Sequence, residues 1–374
     1  MLVMASITVN INPNILIWAR QELGYKLAEV AESLKKDQSQ IKQWETDGQS
    51  VKFTDLQKLA KLYKRQTAVF FMNETPVKAN KPKDYRNLGL KSKGLGHDAL
   101  LTIRRTKRYL QLYRELHNQE FLNEQYRWLN EFNGNNDRTE TLRSLLNVTI
   151  KEQRLSKNKK FKFWRDRIES KLNIFVFQFP LEKHVFDGFS YIEDGKPYGI
   201  TINSRITENR KIFTLFHELA HIIEGHAGIC ITSGNSNNFQ LETRCNQFAA
   251  NFLMPRDEMI RPNNFDDLET QASSLGVSKE AYTIRLKDLS LISEVEFKSF
   301  MAKISIINAK ILADQKAKAK DKDGFVPRDT LSKSRRGDKF FDFVLDAYGD
   351  NRISSSTAKD VLELKLVGLG RNER

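Results

Sequence analysis

Two histidines four residues apart, in His217-Glu218-Leu219-Ala220-His221, constrain this chain more than any other feature. On a helix, positions i and i+4 share a face about one turn apart, so both imidazoles can reach one ion. Phe213, Leu215, Phe216, Leu219, Ile222 and Ile223 make the segment apolar almost all round, which predicts a buried helix. A buried helix ordinarily uses leucine at such positions. With six His in 374 residues, the five-residue pattern arises by chance roughly once in a hundred such chains.

A catalytic zinc takes three protein ligands and keeps one position for water, whereas a structural zinc closes all four with Cys or His. The chain has two cysteines, Cys230 and Cys245, so a four-cysteine site is excluded. Glu242 follows His221 by 21 residues and opens a second apolar-striped helix with Cys245, Asn246, Phe248, Ala249, Phe252 and Leu253. A carboxylate on a buried stripe is costly unless it is paired or bound to metal. The spacing therefore predicts one Zn2+ per chain, held by His217, His221 and Glu242. Glu218 is placed to act as the base, and Asn246 to hold a ligand imidazole in one tautomer. His226 reads as a satisfied histidine at the helix exit, while His97, His117 and His184 have no partner at ligand spacing. For support of an oxyanion, His184, Tyr198 and His226 stay open as candidates.

The run Arg210 to His221, followed by Glu242-Thr243-Arg244-Cys245-Asn246-Gln247-Phe248-Ala249-Ala250-Asn251-Phe252-Leu253-Met254-Pro255, resembles the ImmA/IrrE family of metallo-endopeptidases. The resemblance implies the same three ligands and the same base. Cys245 departs from the Ala usual at its position and reads as tolerated packing, or as a redox handle if its thiolate is exposed. Members of this family typically cut one partner protein, often a helix-turn-helix repressor. The implied function is cleavage of a partner repressor or antitoxin that derepresses a stress, mobile-element or toxin-antitoxin programme. Peptidases of the zincin type bind extended substrate along a sheet edge. The segment Tyr198–Asn203 is nominated for that edge, with plain sheet core as an equal alternative.

Residues 14–66 carry short apolar-striped helices and read as a five-helix bundle. The third has Ile41 and Trp44 inward and Gln38, Ser39, Gln40, Lys42 and Gln43 outward. The pattern resembles the helix-turn-helix domains of the XRE/Cro family. That arrangement implies a third helix in the major groove, with Gln reading adenine edges and Lys on phosphate or guanine. Lys26 opens the second helix where the family often has a phosphate-binding Gln, so charge would make that contact. A homodimer on a palindromic operator is the usual form. A helical protein-interaction module is the alternative.

Sixty-one Lys and Arg against 47 Asp and Glu give a net charge of +14, which suits an anionic partner such as DNA. Forty per cent hydrophobic and 29% charged residues describe a globular chain. No apolar run reaches the ~20 residues of a membrane span, and residues 1–18 lack a secretory pattern. The expectation is therefore cytoplasmic, with no membrane partner. The predicted fold class is mainly α with a small β-sheet (α+β). Its parts are a helix-turn-helix domain over 1–75, a linker and long helix over 76–138, a zincin-like peptidase domain over 139–300 and a C-terminal helical region over 301–374. The long helix is expected from about Asp98 to Phe132. Strands are expected near 174–179, 185–193 and 198–203, with Asp194-Gly195 as a turn. Two other readings stand beside the endopeptidase: a DNA-binding regulator or antitoxin component that binds zinc or a partner without proteolysis, and a housekeeping peptidase with an accessory domain.

Overall fold

The structure is a computed structural model that describes residues 7–75, 95–134, 137–156, 160–181, 186–192, 197–225, 228–231, 239–318 and 327–364; for 228–231 and 312–318 it describes the backbone alone. The expected linker around Pro76 and Pro82, the Asp194-Gly195 turn, His184 and His226 lie outside the described residues. The chain divides into two units, one up to Arg105 and one from Thr106 onward. It is mainly α-helical with small β-sheets. No described helix is long and apolar enough to cross a membrane.

In the first unit, β1 (Thr8–Val9) pairs antiparallel with β2 (Val51–Lys52). Helix α1 (Pro13–Glu22) starts where the Asn12 side chain accepts from the Asn14 N–H, with Pro13 in the first turn, where its missing N–H costs nothing. Helix α2 (Leu27–Leu34) is opened by Glu29, which reaches back to the Lys26 N–H. Asp37 caps α3 (Gln38–Asp47) by accepting from the Ser39 N–H, and Gly48 ends it at φ +67°. A side chain at Gly48 would meet the Ile11 carbonyl oxygen at 2.0 Å, so glycine is required there. Helix α4 (Phe53–Leu62) makes four α-helices within residues 14–66, where five were expected, and a 3-10 turn (Thr67–Phe71) follows. Four of its five residues, Thr67, Val69, Phe70 and Phe71, are β-branched or aromatic, types that lose side-chain freedom in an α-helix. Ile15, Leu16, Val30, Ile41, Val51, Leu56 and Leu59 form the centre of the core. Arg104, from the start of α5 (His97–Glu115), donates to the Tyr63 and Lys64 carbonyls and to Glu22, closing the C-terminal end of α4.

In the second unit α5 buries Tyr109, Leu110, Leu112 and Tyr113 and ends at Glu115, not at Phe132. The Asn118 side chain accepts from the Phe121 N–H and starts a separate α6 (Gln119–Gln125), followed by a 3-10 stretch (Arg127–Phe132). A capping Asn competes well with helix continuation, so the apolar period alone overran the break. Helices α7 (Arg138–Leu146), α8 (Ile150–Leu155) and α9 (Lys160–Leu172) lead into the sheet. Trp128 and Tyr126 donate to the Leu172 and Asn173 carbonyls at the end of α9.

The sheet has four strands, β3 (Phe175–Phe179), β4 (Gly188–Ile192), β5 (Gly199–Asn203) and β6 (Gly228–Ile231), in the order β3-β5-β4-β6. β3 runs parallel to β5, and β4 runs antiparallel to both β5 and β6. The Tyr198–Asn203 segment is therefore central and not an edge. Its residues Ile200, Thr201 and Ile202 are fully buried, as a strand covered on both faces and paired on both sides must be. Along β3, Val176 joins the core under the sheet, while Phe177 and Phe175 face Tyr109 and Phe340 on the other side.

Beyond the sheet come α10 (Glu208–Ile223), α11 (Phe239–Leu253), α12 (Phe265–Leu275), α13 (Lys279–Asp288) and α14 (Glu294–Lys318). The chain closes with α15 (Arg328–Arg336), α16 (Asp338–Gly349) and α17 (Ser355–Leu362). Arg336 is fully buried and donates to the Val361 carbonyl, to Ser332 and to the Tyr109 hydroxyl, which ties these helices to α5. The C-terminal carbonyls of α11 are met by three side chains. Arg143 donates to Phe252, Gln153 to Leu253 at 2.9 Å, and Arg285 to Met254 at 3.2 Å. These contacts fix the helix that carries Glu242 at its far end.

Candidate metal centre

Helix α10 is buried from Ile212 to Ile223 on nearly every side. Phe216 stacks on Phe252 of α11 at 4.4 Å and meets Trp164 edge-on at 4.9 Å. Such aromatic pairs contribute about 0.5–1.5 kcal/mol each beyond their burial. Glu224, just past the end of α10, pairs with Arg138 and lies 3.9 Å from Arg244 of α11. The two helices are thus fixed together on both sides of His217 and His221.

The packing brings together the three side chains nominated from the sequence. His217 Nε2 lies 3.2 Å from His221 Nε2 and 3.2 Å from Glu242 Oε2, and His221 Nε2 lies 3.5 Å from Glu242 Oε1. Zinc bonds of 2.0–2.1 Å at tetrahedral angles put neighbouring donor atoms about 3.3–3.4 Å apart. The observed triangle has that size. His217 and His221 are buried, while Glu242 keeps one-fifth of its side chain exposed, so the triangle opens on the carboxylate side. His217 Nδ1 is 2.9 Å from Asn246 Oδ1, which accepts the proton there and leaves Nε2 with a free lone pair.

Glu218 is fully buried, and among the described residues neither of its oxygens has a well-formed hydrogen bond. Burial pushes its carboxyl up to about 7, with the Glu242 charge adding to the rise against the pull of His217 and Ser190. Burial disfavours a charged His217, but Glu242, Glu218 and Asn246 outweigh it and raise its affinity for a proton. A pocket that draws positive charge, holds two imidazoles and a carboxylate at tetrahedral spacing, and keeps an orphaned acid beside them fits a zinc ion with a water.

Residues 169–287 match the family model described as the IrrE N-terminal-like domain, a peptidase-family model, and residues 16–70 match a helix-turn-helix model. The chain joins a helix-turn-helix domain to an IrrE N-terminal-like domain. No curated protein matches it. The span matched by the IrrE N-terminal-like model includes the whole sheet, both ligand-bearing helices and Asn246.

One residue near this centre escaped the sequence reading. Ser190 of β4, fully buried, has its hydroxyl and N–H beside Glu218 and draws that carboxyl down, without a well-formed hydrogen bond. Its signal was a lone hydroxyl in the apolar strand Gly188-Phe189-Ser190-Tyr191-Ile192. Cys245 is also fully buried, and burial pushes its thiol up to about 12, so the exposed-thiolate alternative is overturned. Tyr198 packs edge-on against Tyr126 in the core, so its ring is committed there.

In the helix-turn-helix domain, Gln38, Ser39, Lys42 and Gln43 are exposed along one side of α3, Gln40 is half-buried, and Lys26 is exposed at the start of α2. The helix is held by the Arg20–Glu45 pair, whose two parallel contacts measure 2.7 and 2.8 Å. The Glu45 hydrogen bond raises the Arg20 pKa still further despite burial. This bidentate pair orients the outer face of α3 without using any of its exposed residues.

Proposed function

We propose that the chain is a zinc-dependent, site-specific endopeptidase that carries its own DNA-binding module. The observation that carries this reading is the donor triangle of His217, His221 and Glu242 with the orphaned Glu218 beside it. His217, His221 and Glu242 would hold the zinc, which when bound polarises a peptide carbonyl and brings the pKa of water to roughly 7. Glu218, buried beside the triangle, would take a proton from the attacking water and return it to the leaving amine. Asn246 keeps the His217 ring turned toward the triangle. With β5 internal, the substrate edge moves to β6, which among the described residues pairs with β4 alone. Backbone pairing there would present an extended segment beside the strand that carries Ser190.

Lys26, Gln38, Ser39, Gln40, Lys42 and Gln43 would contact the operator, with the lysines on phosphate and the glutamines on base edges. Tethering the peptidase to DNA raises its effective concentration near a repressor or antitoxin bound at the same locus. Cutting that partner would release transcription or a toxin. The test incubates zinc-loaded chain with the helix-turn-helix or toxin-like product of the adjacent reading frame. The wild type is expected to give one discrete cut and Glu218→Gln none, with zinc still bound. Undiminished cleavage by Glu218→Gln removes the base. Operator binding without cleavage of any partner favours the regulator, and broad cleavage of unfolded peptides favours the housekeeping peptidase.

A further inference from the structure

One face of α11 carries three groups in the pattern i, i+3, i+4: Glu242, Cys245 and Asn246. Asn246 takes the Nδ1 proton of His217 at 2.9 Å. On the neighbouring imidazole, Cys245 Sγ lies 3.5 Å from His221 Nδ1. We propose that Cys245 is the hydrogen-bond acceptor that positions His221 for the metal, the counterpart of Asn246 on His217. The proposal rests on the metal reading above.

An imidazole that offers Nε2 to a cation carries its remaining proton on Nδ1, and a buried N–H of that kind needs an acceptor. His221 is fully buried, with its Nε2 turned toward His217 and Glu242, so Nδ1 faces away from the triangle and toward α11. Sulfur is a weak acceptor that works at longer range than oxygen, and 3.5 Å suits an N–H···S contact. Cys245 also packs with Ala220, Leu241 and Phe248, and a methyl group would serve that contact as well. Packing alone does not explain why the sulfur points at a ring nitrogen. A single helical face thus supplies a ligand and both groups that orient the other two ligands, so a small rotation of α11 would disturb all three together.

The test uses the full chain with Cys245→Ala and Cys245→Ser. Zinc affinity is measured by competition with a chromophoric chelator, and the His221 Nδ1–H by 15N NMR of the zinc-loaded protein. Loss of a group that orients a ligand typically weakens metal binding by about 10–100-fold, and that loss is expected for Cys245→Ala. Serine keeps an acceptor, so Cys245→Ser should stay within about threefold of the wild type and retain the protected Nδ1–H. The His217 resonance of the same samples should not move, which serves as the control for an intact fold. Cys245→Ala with wild-type affinity, or Cys245→Ser no better than Cys245→Ala, overturns the proposal. Failure of the wild type itself to bind zinc instead overturns the metal centre, and the role of Cys245 with it.

Discussion

Replacing Glu218 by Gln should make the metal-free protein more stable while abolishing cleavage. The carboxyl rises from 4.5 to about 7 on folding because burial disfavours its charge. At 1.36 kcal/mol per unit, keeping it ionised costs the fold about 3 kcal/mol above pH 7. A raised carboxyl binds protons more tightly in the folded state. Its favourable contribution is therefore complete below pH 4.5 and is lost as pH rises through 7. Gln carries no charge but leaves a buried amide without a partner, which takes back about 1–2 kcal/mol. The net gain expected at pH 8 is about 1–2 kcal/mol, or roughly 2–6 °C in the midpoint of a unit this size. The gap should close toward pH 4.5. Chelator-treated wild type and Glu218→Gln, followed by circular dichroism through heating at pH 5 and pH 8, measure it. A variant no more stable at pH 8, or a gap that does not narrow in acid, refutes the view of Glu218 as an uncompensated buried acid.

Asn246→Ala should weaken zinc by about 10–100-fold in chelator competition, because the His217 ring loses the acceptor at its Nδ1. Lys42→Ala should weaken binding to any DNA duplex and lower the slope of log affinity against log salt by about 1, as expected for one lost phosphate contact. Gly48→Ala forces a left-handed conformation costing about 1–2 kcal/mol and places a methyl against the Ile11 carbonyl oxygen. The helix-turn-helix unit should then unfold at lower temperature and yield first to protease, with the zinc affinity unchanged.

The three residues of the donor triangle could be nominated because each depends on local spacing. His217 and His221 are one helical turn apart, and Glu242 lies on an apolar stripe that makes an unbound carboxylate implausible. The helices from Glu208 and Phe239 emerged for the same reason, since their periodicity is unbroken over four turns. What depends on distant pairing was not legible. The position of β5 is set by β3 on one side and β4 on the other, and β6 lies 25 residues beyond the end of β5, with no alternation long enough to announce it. The stop before Asn118 turns on one capping side chain inside a continuing apolar pattern. Ser190 is an ordinary small residue in sequence and Cys245 stood out only as a departure from Ala, and tertiary packing alone sets them opposite Glu218 and His221.

In the proposed centre two imidazoles and one carboxylate grip a single metal ion. X-ray absorption on the full chain purified with zinc, paired with its metal content, tests this directly. One zinc per chain is expected, with two nitrogen scatterers of imidazole type and oxygen at about 2.0–2.1 Å, and loss of the metal on changing His217, His221 or Glu242 to Ala. A chain without stoichiometric zinc, or a zinc whose shell survives the Glu242→Ala change intact, would contradict it.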